Sequence, residues 1–159
     1  MKRNIPIERS EGTVSVPERL RVLDETQRHA VLATCSEGRP HTSLIAFALT
    51  PDVKGLLFAT PKRTLKYRNI LKNAAVSVLI DTRANTESDY LNAEAVTISG
   101  NAVPIRRGIK WKDLSGIFLR KHPELSGFVE SPSSALILVK ATRCYHVGSF
   151  QTVSEWKVE

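Results

Sequence analysis

The chain has 159 residues, 42% hydrophobic and 25% charged, which suits one globular domain with a core of its own and excludes a disordered or fibrous chain. No apolar run approaches the roughly 20 residues that span a bilayer, and two cysteines, Cys35 and Cys144, exclude a disulfide framework. The net charge of +7 points to an anionic partner, either a nucleic acid or a phosphorylated small molecule.

Residues 1–14 mix charges without periodicity and read as an extended arm ahead of a domain over 15–159. The charged start MKRNIPIERSEGTVSVPERL lacks the apolar core of a signal peptide, so the expected compartment is the reducing cytoplasm. Ser15-x-x-Glu18 reads as a capping box with Pro17 in the first turn. The helix it opens carries Val16, Leu20 and Leu23 on one face and ends near Thr26. Residues 29–35 form an apolar strand, 36–40 a turn around Gly38, and 41–50 the returning strand. That strand is apolar on both sides, so it belongs deep in a sheet or at an interface. After a turn at 51–55 comes the strand 56–60, broken at Pro61, and then a helix from about Leu65 to Lys72. Thr64 is placed to cap this helix, and Tyr67, Ile70, Leu71 and Ala74 share one face of it.

Residues 75–81 alternate as a strand, 82–92 read as a polar loop, and 93–105 as a strand with a bulge at Gly100 and an edge end at Pro104. Residues 108–122 are helical, with a stripe of Trp111, Leu114, Ile117 and Phe118, stopped by Pro123. A connection over 123–133, a long strand over 134–147 and a tail over 148–159 complete the chain. The first three strands read as an antiparallel meander. Short antiparallel hairpins outnumber helices, which makes the expected fold mainly β: a closed or split β-barrel of antiparallel strands with two to four flanking helices.

The stretch LLFATPKRTLKYRNILKN carries Lys62, Arg63, Lys66, Arg68 and Lys72 and no acidic residue. Free N–H groups at the helix start, the hydroxyls of Thr60 and Thr64, and the cations Arg63 and Lys66 together make a phosphate site. A solvated basic helix face explains the same residues. No helix-turn-helix, zinc-finger or aromatic RNA-binding signature accompanies the charge, which leaves nucleic acid the lesser reading.

The runs HAVLATCSEGRPHTSLIAFAL and GLLFATPKRTLKYRNILKNAAVSVLID resemble the split-barrel flavoproteins related to pyridoxamine 5′-phosphate oxidase. The resemblance covers about residues 28–81 and, less closely, AEAVTISGNAVPI. It implies FMN as cofactor, bound at the interface of a homodimer. It also implies a phosphate clamp of Thr60, Thr64 and Lys66, with Arg63 standing in for an arginine whose usual place holds Leu65. The backbone of Ser43, Leu44, Ile45 and Ala46 would support the isoalloxazine ring, with Phe58 and Ala59 close by. The flavin carries the redox chemistry, so the partner is a small-molecule redox substrate and no residue is assigned a catalytic role. A deazaflavin would suit a similar clamp. Ala95 stands where a glutamine is common among the partner-chain contacts, so those match less well. The R-x-H motif with which true pyridoxamine-phosphate oxidases grip the substrate phosphate is absent from CYHVGSFQTVSEWKVE, so the vitamin substrate is not expected. His122-Pro123 and the late GSF…W resemble the haem-utilisation branch of the same fold, which makes haem the alternative cofactor, with His146 as its ligand.

His29, His41, His122 and His146 otherwise read as structural, and no pair has metal-ligand spacing. Cys35 and Cys144 read as small packing residues. Trp111 reads as core or dimer contact, and Trp156 as a pocket cap or partner-subunit contact.

Overall fold

The computed structural model describes Ile5 and residues 10–149 and 151–159. Its strands are β1 (Ser10–Glu11), β2 (His29–Ser36), β3 (Arg39–Ala46), β4 (Ala48–Leu49), β5 (Gly55–Pro61), β6 (Ala75–Asp81), β7 (Ala95–Pro104), β8 (Ser134–Gly148) and β9 (Thr152–Lys157). Its α-helices are α1 (Val16–Thr26), α2 (Leu65–Lys72), α3 (Asp89–Asn92), α4 (Ile109–Lys121) and α5 (Ser126–Glu130).

Antiparallel ladders run β3–β2–β6–β7–β8–β5–β4. Because β4 continues β3 past the single residue Phe47, the ring closes through the chain itself. It closes incompletely: β3 is laddered only to β2, and β5 beyond Leu57 only to β8. The gap between β3 and the second half of β5 is the split of a split barrel.

Alternation along the strands builds the interior. Ala30 and Leu32 of β2, Val78 and Ile80 of β6, Val96 and Ile98 of β7 and Ile137 and Val139 of β8 point inward and are buried together with Phe47 and Phe58. Each such large side chain contributes about 1.5–3 kcal/mol by leaving water. Val16, Leu20 and Leu23 of α1 and Ile70 of α2 join this core. A second apolar layer lies on the outer face, where Ala48, Leu57 and Leu138 meet Phe118 of α4 and Val129 of α5.

The structure departs from the expectations at several points. The strand read over 41–50 starts at Arg39 and breaks at Phe47, whose N–H donates to Arg28 O (3.3 Å) and whose carbonyl accepts from His122 Nε2 (2.7 Å). Ser15 makes no side-chain cap; the chain before α1 is held instead by the Val14 N–H on Ser154 Oγ (3.2 Å). Most of the arm lies outside the described residues, but Ser10 and Glu11 pair in parallel with Thr152 and Val153. The tail holds β9, laddered to β8, and its Trp156 packs against the main core. The loop 82–92 contains α3, pinned by the Asp89 carboxylate, which accepts from the N–H groups of Ala84, Asn85 and Thr86. The connection 123–133 holds one 3₁₀ turn and α5, so five α-helices stand among the described residues where two to four were expected. The bulge falls at Gly100 as expected, where a Cβ would come within 2.3 Å of Lys140 O.

Candidate functional site

One edge of the split ends in the junction between β5 and α2. Pro61, the last β5 residue, is paired with Ser134, and the Lys62 N–H donates to Ser133 O at 2.9 Å. The chain then turns tightly: the Thr64 N–H (3.2 Å) and hydroxyl (2.9 Å) both donate to Pro61 O. Thr64 Oγ1 also lies 2.9 Å from Thr60 Oγ1 and accepts from the Tyr67 N–H at 3.4 Å. The two hydroxyls named from the sequence are therefore in contact, one buried on the strand and one capping the helix. No side chain accepts from the N–H groups of Leu65 and Lys66 among the described residues, and α-helix geometry leaves first-turn donors without an intrahelical partner. Lys62 and Arg63 are exposed and Lys66 is half-buried. Among the described residues no ion pair involves any of the five cations of this stretch. The open helix N–H groups and unpaired cations, beside two hydroxyls that would have to turn from their internal bonds to donate outward, make a set that fits an oxyanion.

The opposite edge is β3. With β2 on one side only, it leaves alternate backbone N–H and C=O groups facing the split. Ile45 and Phe58 are buried in the barrel interior, so only their backbone is available here. Leu44 stands outward, 70% exposed. Ala46 and Ala59 pack at the margin of the layer under α4, and Ser43 is half-buried. The expected residues thus fall into two groups on the facing edges of one opening: Ser43, Leu44, Ile45 and Ala46 on β3, and Phe58, Ala59, Thr60, Arg63, Thr64 and Lys66 on β5 and the start of α2.

Two of the four histidines, His122 and His146, are engaged elsewhere. His122 Nε2 donates to Phe47 O, its ring sits 4.8 Å from that of Phe118, and burial pushes its pKa below the ordinary histidine value. His146 is 5% exposed, its Nε2 lies 2.7 Å from Glu94 Oε2, and its Nδ1 is buried without a partner among the described residues. Glu94 in turn binds Arg19 through Nε (3.0 Å) and Nη2. This relay joins α1, the segment before β7 and β8, and no local pattern could have foretold a contact between residues 19, 94 and 146. Burial pushes the Cys144 thiol up to about 12, which leaves it protonated and inert. No group of metal-ligating side chains occurs among the described residues, and no described helix is long and apolar enough to cross a membrane.

Two hollows flank these elements. One of about 460 Å³ lies between α1, α4 and residues 48–53. Its Lys121 is already paired with Asp24 at 3.0 Å and sits 3.7 Å from the Phe47 ring centroid. The other, about 190 Å³, adjoins the β5–α2 junction and is lined by Lys62, Arg106, Trp111 and Ser134 among others. Trp111, half-buried, belongs to the outer layer and carries the Arg107 guanidinium 4.0 Å above its ring.

The fold is similar to that of a heme binding protein from Mycobacterium smegmatis, with a TM-score of 0.80 at 19% identity over 92% of this chain and 59% of that one. It is also similar to HutZ, the heme storage protein from Vibrio cholerae (TM-score 0.69, 16% identity, 80% of this chain and 91% of that one). A FAD-binding protein from Mesorhizobium loti gives a TM-score of 0.69 at 17% identity, over 84% of this chain and 92% of that one. The chain spans about three fifths of the mycobacterial protein, and likenesses at such identities establish the fold alone. No curated protein matches the chain in sequence. The family model for pyridoxamine 5′-phosphate oxidase matches residues 16–148, from the first residue of α1 to the last of β8, and the chain accordingly belongs to that family.

Proposed function

We propose that the protein binds FMN in the split and acts as an oxidoreductase on a small-molecule substrate. The observation that carries this reading is the Thr60–Thr64 hydroxyl pair, 2.9 Å apart, set among unpaired cations at the open start of α2. In this reading the two hydroxyls, the first-turn N–H groups and Lys66 hold the phosphate, and Arg63 adds a second charge from the exposed side. The β3 edge offers N–H donors and C=O acceptors to the rim of a flat ring, while Ile45 and Phe58, facing inward, keep water out from below. When bound, the flavin supplies hydride or electron transfer; the chain binds it, orients it and leaves one face open. The exposed Leu44 of β3 and its half-buried ladder partner Val31 on β2 form an outer face that a second copy would cover, making the protein a homodimer.

The flavin reading is favoured over haem because His146, the ligand a haem reading would use, is buried and committed to Glu94. The test compares FMN with riboflavin, which lacks the phosphate. FMN is expected to bind the wild type far more tightly. Lys66→Ala should weaken FMN by roughly 1.5–3 kcal/mol, the range for a hydrogen bond to a charged group, and leave riboflavin almost unchanged. Equal binding of the two ligands to the wild type refutes the phosphate site. The absorbance spectrum of the purified protein separates flavin, deazaflavin and haem.

A further inference from the structure

The gap between β3 and β5 exists because the chain changes ladder at one residue. Ala46 is still paired with His29 of β2, while Ala48 is already paired with Leu57 of β5. Phe47 stands between them, fully buried, with both of its backbone polar groups turned to other partners. Its N–H donates to Arg28 O, and its carbonyl accepts from His122 Nε2 at 2.7 Å. A buried carbonyl needs a donor, so a strand leaves its ladder only where another element brings one. Here the donor comes from His122, the residue that follows α4, itself buried.

The same helix end holds the ring. Lys121 Nζ lies 3.7 Å from the Phe47 ring centroid and 3.0 Å from Asp24 Oδ1 of α1. That oxygen also accepts from the Leu49 N–H at 3.0 Å, on the far side of the break. A cation partly shut from water over an aromatic face makes a stronger contact than an exposed one, and burial pushes the Lys121 ammonium below the ordinary lysine value. A buried phenylalanine needs only apolar neighbours, which Phe47 has in the main core. A cation at its face and a donor at its carbonyl fix its orientation as well.

We propose that Lys121 and His122 are positioning residues for the cofactor: by fixing Phe47 they set the β3 edge against the end of β5, and so the width of the split that receives the flavin ring. The β3 edge over 43–46 runs straight into Phe47, and a strand that slips by one residue turns every side chain to its other face. Such a slip would bring Leu44 inward and Ile45 outward. The helix reaches both edges of the split: Phe118, one turn before His122, shares an apolar cluster with Ala48 of β4 and Leu57 of β5. The inference rests on the flavin reading for its ligand. It goes beyond that reading in giving a role to the end of α4, which belongs neither to the phosphate clamp nor to the ring-facing edge.

The test titrates wild type, Lys121→Met, His122→Phe and His122→Gln with FMN and with riboflavin, at a temperature where circular dichroism shows each one folded. His122→Phe keeps a ring and removes the donor; Lys121→Met keeps the stem and removes the charge. His122→Phe should weaken both ligands by the same factor, about tenfold, the scale of one lost hydrogen bond. Lys121→Met should weaken both about threefold, the scale of a cation over a ring. His122→Gln keeps a donor and should bind both as the wild type does. An equal loss separates these residues from Lys66, whose removal weakens FMN alone. Hydrogen exchange read by mass spectrometry follows the same hold without a ligand. The amides of residues 43–46 should exchange faster in His122→Phe and Lys121→Met, those of the β2–β6 ladder should not change, and His122→Gln should match the wild type. The proposal is overturned if the folded variants bind both flavins like the wild type, since the two residues then only stabilise the fold. It is also overturned if FMN alone is weakened, which would place them at the phosphate, or if exchange at 43–46 rises no more than in the rest of the barrel. Lys121→Met decides by itself if His122→Phe does not fold, because its side chain reaches the surface and water can take over at Asp24. A wild type that binds neither flavin refutes the flavin reading, and the exchange data then decide alone whether Lys121 and His122 position the β3 edge.

Discussion

Replacing Glu94 measures what ties α1 to the barrel. Its carboxylate accepts from Arg19 through two nitrogens and faces His146 Nε2 at 2.7 Å. Side-chain exposure is 36% for Arg19, 15% for Glu94 and 6% for His146. In Glu94→Ala, Arg19 regains water, so its share stays in the surface-pair range of about 0.5–1 kcal/mol. The imidazole N–H cannot regain water, and a buried donor left alone costs about 1–3 kcal/mol. The expected loss is therefore about 1.5–4 kcal/mol, or on the order of 10 °C in Tm for a chain of this size. Glu94→Gln keeps one amide oxygen as acceptor and should cost roughly half as much. The Arg19 hydrogen bond, ahead of the one from His146, holds the Glu94 carboxyl below the usual carboxylate range. A depressed folded pKa means stability that is present above the unfolded value, about 4.3, and lost as pH falls through the folded one. Urea unfolding followed by tryptophan fluorescence, repeated from neutral pH downward, reads both effects. Glu94→Ala within about 0.5 kcal/mol of wild type, less than the smallest penalty assigned, refutes the relay's structural role. So does a Glu94→Gln profile parallel to wild type below pH 4.3.

Gly100→Ala drives a Cβ to 2.3 Å from Lys140 O, a backbone atom that cannot rotate away; a cost of about 2–3 kcal/mol is expected by urea unfolding, and a neutral result would show that the bulge relocates. His122 has its pKa lowered mainly by burial, against the opposing hydrogen bond to Phe47. The unfolded chain therefore takes up the proton first as pH falls below about 6.5, and stability declines from there to the folded value. His122→Gln keeps a donor for Phe47 O and should flatten that limb of the profile. Leu44→Asp places a charge on the face assigned to the second copy, and sedimentation should shift from dimer to monomer mass; an unchanged mass refutes Leu44 as an interface residue.

Local order was the most legible part of the sequence. The helix Leu65–Lys72 and its Thr64 cap follow from side-chain spacing and one hydroxyl, and both stand as expected. Gly100 announced its bulge because only a residue without a Cβ fits against Lys140. What escaped were features set by distant partners. The alternation of residues 41–50 showed two apolar faces but could not show that His122 would take the Phe47 carbonyl out of the ladder. Ser15 has the spacing of a capping residue, yet Ser154 already holds the neighbouring Val14 N–H. β1 is too short to carry a period, and β9 is recognisable only through its ladder to β8. The clamp residues were named from motif and resemblance, whereas the hold of Lys121 and His122 on Phe47 required the end of α4 to be set beside the break between β3 and β4.

The closing ladder of the barrel also sets an order of assembly. Phe58 pairs with Ile137 and Gly55 with Lys140, partners roughly 80 residues apart along the chain. At synthesis rates of about 5–20 residues per second, β5 waits roughly 4–16 s for the strand that completes it. Meanwhile the hairpin of β2 and β3 can form, but GLLFATP stays without its β8 partner, an apolar, β-prone segment of the kind that recruits neighbouring chains. Long-range closure of this sort makes folding slow. Pro61 at the end of that strand and the five cations that follow it are the residues that discourage such pairing while β8 is still being made.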